Sequence, residues 1–424
     1  MLELKRLISL ALALVTALSL LTACGEKEVV IPDEAGWFTT WAAATQSISP
    51  TDDAVPTNPK LKENTLRQQI KVSIGGDKIR LTFSNEYGNL PVLIDSIHIA
   101  KLVSEGNPTI DTSTDTVVTF NSGETTAKIE AGATLTTDEI NFSFDALDLL
   151  AVTIKFGKYV PSDLTVHRES LCTSWITEGD QVSSETFTTM SFKNCWYFLS
   201  RVETYAEAGT KTIVCFGDSI TDGVGATYNG FDTWPEVLAQ KLQENPETQN
   251  LSIANTAISG NAVFGGVGQA AKDRFERDVL NVSGVRYVVV MIGINDIGYA
   301  QADISEDIIN EYKVMIEKCR EKGIKIYACT LAPTKGHPGY YSELHELIRD
   351  KVNEYILSEE SGFDGVIDMS MALASETDLD QMQAIYATGD WLHPNSAGYE
   401  RMGDEAYRTL INLWAQEKAK ADDK

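Results

Sequence analysis

The chain runs to 424 residues, 43% hydrophobic and 8% aromatic, with a formal net charge of −26 at pH 7. That length accommodates two domains, and that composition belongs to a packed globular protein rather than a disordered one. The acidic balance argues against nucleic acid or anionic lipid as the main partner, because both demand a basic surface, and it suits a neutral substrate.

Lys5 and Arg6 precede an apolar run, Leu7–Leu21. The run falls short of the roughly 20 residues that span a bilayer and reads as the core of a signal peptide over residues 1–23. It closes with Leu21-Thr22-Ala23-Cys24 before Gly25, which resembles a bacterial lipobox. The resemblance implies cleavage before Cys24, lipid attachment to its sulfur, and residues 24–36 as a tether to an extracytoplasmic membrane surface. The alternative is an ordinary signal peptide with a chance cysteine. Cys215, Cys319 and Cys329 fall in apolar patterns and read as small buried hydrophobes. The five cysteines after Cys24 are an odd count, so at least one stays a thiol; Cys172 and Cys195 are the two that could pair. Neither a CxxC nor a His/Cys cluster suggests structural zinc.

Residues 37–205 read as β structure. Gln69–Ile74 and Lys78–Phe83 flank Gly75-Gly76-Asp77, a hairpin signal. Short runs continue at Leu93–Ala100, Thr116–Phe120, Ala127–Ile129, Ala151–Phe156 and Phe187–Phe192, with turn residues between them. Long helical periodicity is missing, so a β-sandwich or jelly-roll-like accessory domain is expected.

From residue 206 to about 418 the text alternates between strand and helix. Strands are expected at Thr212–Phe216, Leu251–Asn255, Val285–Ile292, Ile324–Leu331 and Gly365–Asp368. Helices are expected at Thr233–Leu242, about Gly268–Asp278, Ser305–Lys322, Tyr341–Leu357 and from about Ser396. In Ser305–Lys322 the residues Ile308, Ile309, Tyr312, Met315, Ile316 and Cys319 share a face, and Gly323 supplies the stop. Such alternation gives an α/β domain with a parallel sheet covered on both faces.

Ligands of such sheets bind beyond the carboxyl ends of the strands. The first strand ends in Gly217-Asp218-Ser219, the second leads to Ser259-Gly260-Asn261, the third to Gly293-Ile294-Asn295-Asp296, and the fifth is followed by Asp390-Trp391-Leu392-His393. A serine hydroxyl attacks an ester only when a base takes its proton, which suits Ser219 to a nucleophile and His393 to the base. Asp390, three residues earlier, can accept from the other ring nitrogen and fix its tautomer. Acyl transfer also needs donors for the developing oxyanion, for which the Ser219 N–H, the Gly260 N–H and the Asn295 amide are candidates. Bland readings stand beside these. Ser219 could only cap a helix, Gly260 could be a turn glycine, and Asp296 is expected to be structural. Asp95-x-x-His98 repeats the Asp-x-x-His spacing but lies in a strand, where positions 95 and 98 face opposite sides. His167 is expected at the surface or a domain contact and His345 exposed; His337 follows the fourth strand, where lining the cleft is the lesser alternative, and Trp391 either stacks on a sugar ring or packs.

These four blocks, in this order, resemble the SGNH (GDSL-type) hydrolases. The resemblance covers about Thr210–Trp414 and implies a flavodoxin-like α/β/α sheet and hydrolysis through an acyl-serine intermediate, without metal or cofactor. Trp37–Gln46, Asn64–Gly76 and Arg80–Gly88 resemble the leader region of secreted members related to acetylxylan esterases, which implies removal of an acetyl or short acyl ester from plant-polysaccharide material. The alternatives are a lipase, lysophospholipase or thioesterase on longer chains, or a surface glycan-binding lipoprotein with an idle hydrolase domain.

Overall fold

The computed structural model describes residue 31 and residues 33–422. The signal peptide, Cys24 and most of the expected tether lie outside the described residues.

The N-terminal region is a separate, sheet-rich domain. One antiparallel sheet runs in the order Gly36–Ala42, Leu199–Ala206, Gly76–Ser84, Thr134–Thr136, with Ile140–Phe144 also on Gly76–Ser84. A second runs Ser191–Lys193, Ser174–Thr177, Thr65–Lys71, Leu149–Phe156, Val92–Lys101, Thr116–Val118, with Ala127–Ile129 also on Val92–Lys101. Leu66, Ile70, Ile97 and Val152 of the second sheet share one core with Ile79, Leu81 and Phe83 of the first. This is the sandwich arrangement of two sheets burying their inner faces against each other. A small third sheet joins Cys195–Tyr197, Leu164–Arg168 and Gln46–Ile48.

Two expectations are corrected here. Thr65–Lys71 and Gly76–Ser84 do not form a hairpin, since each belongs to a different sheet. Gly75 is the corner at which the chain changes sheets, and a Cβ there would meet the Phe144 carbonyl oxygen at 2.5 Å. Phe187–Phe192 is strand only from Ser191 onward. Cys172 and Cys195 are both buried free thiols, as are Cys215, Cys319 and Cys329.

The C-terminal domain carries a parallel sheet in the order Leu251–Asn255, Lys211–Gly217, Val285–Met291, Lys325–Cys329, Gly365–Ile367. In chain order this is second, first, third, fourth, fifth, which is the flavodoxin-like arrangement. Ile213 through Phe216 are buried at successive positions, so both faces of that strand are covered. Helix Trp234–Glu244 packs on Ser396–Asp422, and Ser305–Glu321 packs on Glu343–Leu357. The expected apolar face of Ser305–Glu321 is buried at Ile308, Tyr312, Met315, Ile316 and Cys319, whereas Ile309 lies at its edge and is only partly buried. Residues Ala271–Phe275 form an α-helical turn that widens into a π-helical one over Glu276–Leu280. Among the described residues no helix is long and apolar enough to cross a membrane.

The two domains meet along the sheet's outer edge. Gly36–Ala42 lies beside Leu251–Asn255. Ser73 Oγ accepts from the Ile253 N–H at 2.9 Å, and its own proton has the Thr40 carbonyl at 2.8 Å as its nearest acceptor. One side chain thus occupies an edge donor that would otherwise be open to another strand.

Candidate active site

Ser219 opens a single helical turn, Ser219–Asp222, directly after its strand. Gly217 is required before it, because a Cβ there would meet Thr221 Oγ1 at 2.4 Å and the Met291 carbonyl oxygen at 2.5 Å. Asp218 caps the turn, with one carboxyl oxygen accepting from the Ile220 N–H at 3.1 Å. Its other oxygen is buried without a partner, and desolvation pushes the carboxyl up to about 7.

The Ser219 hydroxyl lies 2.9 Å from His393 Nε2, and His393 Nδ1 lies 2.6 Å from Asp390 Oδ2. An Nδ1–H donated to Asp390 leaves Nε2 free to accept the serine proton. Asp390 Oδ1 also accepts from the N–H groups of Leu392 and His393 and from the Thr388 hydroxyl, at 2.8, 2.9 and 2.6 Å. Partial burial raises the Asp390 carboxyl, but these bonds overcome it and hold the group well below the usual carboxylate range. Trp391 sits between the two at φ 61°, a left-handed value uncommon for a bulky side chain. Its ring packs over Gly336, where a Cβ would come within 2.8 Å of it. Trp391 is therefore packed against the neighbouring loop and does not line the cleft around Ser219.

The second and third blocks converge on the same point. Gly260 has φ 76°, and a Cβ there would meet Val267 at 2.7 Å. It lines the cleft that opens on Ser219. Asn295 is almost fully buried; its Nδ2 donates to the Asn261 carbonyl at 2.7 Å and its Oδ1 accepts from the Tyr340 hydroxyl at 2.6 Å. Those two bonds fix which way the amide faces and leave its second N–H for a ligand. Asp296 has a structural place, receiving the N–H groups of Val263 and Phe264 at 2.8 and 3.1 Å. Burial raises its carboxyl despite them.

Arg274, fully buried, joins these loops. It donates to the carbonyls of Gly217 and Thr256 at 3.1 and 2.6 Å, to Asn261 Oδ1 at 2.9 Å and to Asp278 at 3.1 Å. Desolvation lowers the guanidinium pKa while Asp278 opposes the shift. Arg274 and Tyr340 escape sequence reading. Each acts through acceptors far away in the chain, and neither falls in a strand-end block.

A cleft of about 260 Å³ opens on Ser219 and is also bounded by Gly260, Asn295, Tyr340 and His393. Val224, Val267 and Leu392 give it aliphatic surface, and Gln46, Arg168 and Glu169 of the N-terminal domain complete it. Glu169 holds φ 56° and the nearby Leu171 φ 53°. Glu169 lines this cleft and Leu171 a neighbouring pocket, and two left-handed non-glycine residues so close together mark a stretch of backbone held by its surroundings. Among the described residues no group of three or more His, Cys, Asp or Glu side chains is arranged to hold a metal ion.

The remaining histidines separate cleanly. His98 bonds Asp115, not Asp95, at 2.9 Å and is structural as expected. His167 is buried at the domain contact rather than on the surface. His345 is half-buried rather than exposed, with both ring nitrogens against the carbonyls of Tyr340 and Ala300. His337 does not line the cleft. Its Nδ1 accepts from the Gly339 and Tyr340 N–H groups, and its ring stands edge-on to Tyr340 at 4.8 Å.

The five-stranded parallel sheet and the hydrogen-bonded row Ser219, His393 and Asp390 beyond it make this an α/β domain with a serine placed to be activated by a histidine. Residues 215–401 match the model of the GDSL-like Lipase/Acylhydrolase family, so the C-terminal domain is a GDSL-like acylhydrolase domain of the esterase or lipase-like kind. No curated protein matches the chain. Among solved structures it is similar to a member of the lipolytic protein G-D-S-L family from Veillonella parvula DSM 2008, at 24% identity and TM-score 0.38 over 48% of this chain and 99% of that one. It is similar to a GDSL-like lipase from Bacteroides thetaiotaomicron VPI-5482, at 20% identity and TM-score 0.37 over 49% and 89%. An acetyl xylan esterase is similar at 20% identity and TM-score 0.36 over 46% and 98%.

Proposed function

We propose that the chain is a serine esterase that removes acetyl or another short acyl group from a carbohydrate. The observation that carries the reading is the relay from Ser219 through His393 to Asp390, with separations of 2.9 and 2.6 Å. Ser219 Oγ attacks the ester carbonyl carbon as His393 Nε2 takes its proton. The oxyanion that forms is met by the N–H groups of Ser219 and Gly260 and by the Asn295 amide. The alcohol leaves with the proton from His393, and the same imidazole then activates the water that frees the acyl group. Asp390 holds the imidazole in the required tautomer.

The cleft supports the choice of substrate. Its aliphatic surface is limited to small patches at Val224, Val267 and Leu392, which suits a short acyl group. Gln46, Arg168 and Glu169 offer polar atoms to a hydroxylated alcohol. The lipobox-like Leu21–Cys24 supports a further part of the reading, that a lipid on Cys24 tethers the enzyme to an extracytoplasmic membrane surface. Labelled palmitate incorporated by the wild type and not by Cys24→Ser would agree with it; equal labelling would not.

The test of the activity is hydrolysis of aryl acetate, butyrate and decanoate, and of acetylated xylan and mannan, by protein lacking residues 1–24. Acetate release is expected, with a loss of ~10³-fold or more in Ser219→Ala. Unchanged activity in that variant removes the serine assignment. A preference for decanoate would replace this reading with a lipase or thioesterase. Polysaccharide binding without turnover, and without labelling of Ser219 by a phosphonate, would leave a binding protein.

A further inference from the structure

We propose that His167, a residue of the N-terminal domain, is a positioning residue for the Ser219 site. It acts through Asp222 on the loop that carries the Gly260 N–H. The inference rests on the esterase reading above.

His167 lies on Leu164–Arg168 and is 3% exposed. Its Nδ1 sits 2.9 Å from the Ala44 carbonyl, which can only accept, so Nδ1 carries a proton. Its Nε2 sits 3.0 Å from Asp222 Oδ1, across the domain boundary. The ring also lies against Trp196, with centroids 5.3 Å apart. Burial opposes the charged imidazole, yet Asp222 and the Ala44 carbonyl outweigh that and raise its pKa, against a smaller effect of Arg274.

Asp222 is the last residue of the helical turn that begins at Ser219. Its second oxygen accepts twice from Ser259, from the N–H at 2.7 Å and from the hydroxyl at 2.6 Å. Ser259 is followed by Gly260, whose N–H is an oxyanion donor in the proposed reaction. One buried carboxylate therefore ties three things together: the nucleophile's own turn, the donor loop, and a side chain of the other domain.

The physical consequence follows from burial. Without His167, Asp222 Oδ1 loses its partner at a largely buried position, and an unpaired buried acceptor is costly. The carboxylate then turns toward other donors and loosens its hold on Ser259. A displaced Gly260 N–H weakens the oxyanion contact, which tightens in the transition state, and leaves ground-state binding almost alone. The N-terminal domain is thus part of the acyl-transfer machinery as well as a wall of its cleft.

The experiment measures kcat and KM on an aryl acetate for His167→Leu, His167→Gln, Ser259→Ala and Ser219→Ala. In His167→Leu, kcat is expected to fall ~10-fold, a fraction of the ~10²-fold lost with a whole oxyanion donor, while KM stays within about twofold. His167→Gln places an amide N–H near the Nε2 position and is expected to recover most of that loss. Ser259→Ala keeps the backbone bond to Asp222 and loses the hydroxyl one, with an expected fall in kcat of about threefold. It is the reading that stands if His167→Leu does not fold. Wild-type kcat in His167→Leu, an equal loss in the Leu and Gln variants, a loss confined to KM, or wild-type kcat in Ser259→Ala would each overturn the inference. Ser219→Ala separates the two levels. If that variant retains activity, the esterase reading fails; if it is inactive and the His167 variants behave as wild type, the positioning role alone fails.

Discussion

Each domain buries an arginine completely, and the two arginines hold different things. Arg67 in the sandwich donates to Thr153 Oγ1 at 2.9 Å, to the Pro108 carbonyl and to the Ser184 carbonyl at 2.7 Å. Desolvation lowers its pKa to about 10, with Asp115 opposing the shift. Arg274 in the parallel domain donates instead to the backbone of Gly217 and Thr256 and to the side chain of Asn261. The first pins loops far from Ser219, and the second pins the strand ends on which the candidate site is built. The same device, a guanidinium spending its donors on orphan carbonyls, is structural in one half and site-organising in the other. The antiparallel domain can place its loops freely, because its connections end at either edge of a sheet. The parallel domain has its functional loops at one edge, so whatever joins them joins the chemistry.

That contrast breaks most sharply under substitution. Arg274→Met is expected to cost about 3–5 kcal/mol, because it removes one partner of the buried ion pair with Asp278, and Arg67→Met about 1–3 kcal/mol, because neutral buried acceptors lose their donor; denaturant midpoints measure both. Their kcat values should then part, with Arg67→Met keeping wild-type turnover per folded molecule and Arg274→Met losing most of it. Equal kcat would mean the two arginines do the same work.

The charge on Asp218 gives a second handle, confined to the parallel domain. Its folded pKa is raised to about 7 from an ordinary value of 3.8, so the folded state holds a proton that the unfolded state has released. Stability is therefore expected to decline as pH rises from about 4 to about 7, at up to about 1.4 kcal/mol per pH unit from this group. Asp218→Asn keeps the acceptor for Ile220 and removes the ionisation, so its urea midpoint should exceed the wild type's at pH 8 and match it near pH 4. A variant that tracks the wild type across that range would deny the burial penalty.

Smaller effects sharpen the oxyanion assignment. Asn295→Ala is expected to lower kcat ~10²-fold with KM nearly unchanged. Tyr340→Phe removes only the hydroxyl that orients Asn295, so a loss of a few-fold in kcat is expected. A Tyr340→Phe loss as large as that of Asn295→Ala would make the hydroxyl itself a group that touches the substrate.

The parallel domain was readable because its information is local. Its strands are continuous apolar runs, and the groups that matter stand within a few residues of the strand ends: Ser219, Gly260, Asn295. Asp390 and His393 belong together because three residues of a tight turn bring them together. The sandwich was readable only as a class. Alternation locates its strands, but Gly75-Gly76-Asp77 carries the marks of a hairpin while the chain there passes from one sheet to the other. Which strand a β segment pairs with depends on groups far away, and no local period records it.

The sequence by itself therefore determined the order of the five parallel strands and the three blocks that follow the first three of them, while the helix Met369–Leu373 and the hairpin of Ala374–Ser375 and Asp378–Met382, which precede the Asp390–His393 block, were not legible in it. Hydrophobic period and strand-end position are properties of adjacent residues. Tertiary structure alone decided that Cys172 and Cys195 stay apart as thiols, that His167 reaches Asp222, that Tyr340 fixes Asn295, and that Gln46, Arg168 and Glu169 close the cleft. Each of these concerns residues tens to hundreds of positions apart, whose relation is set only when elements pack within a domain, as for Tyr340 and Asn295, or when the two domains pack on each other, as for His167 and Asp222.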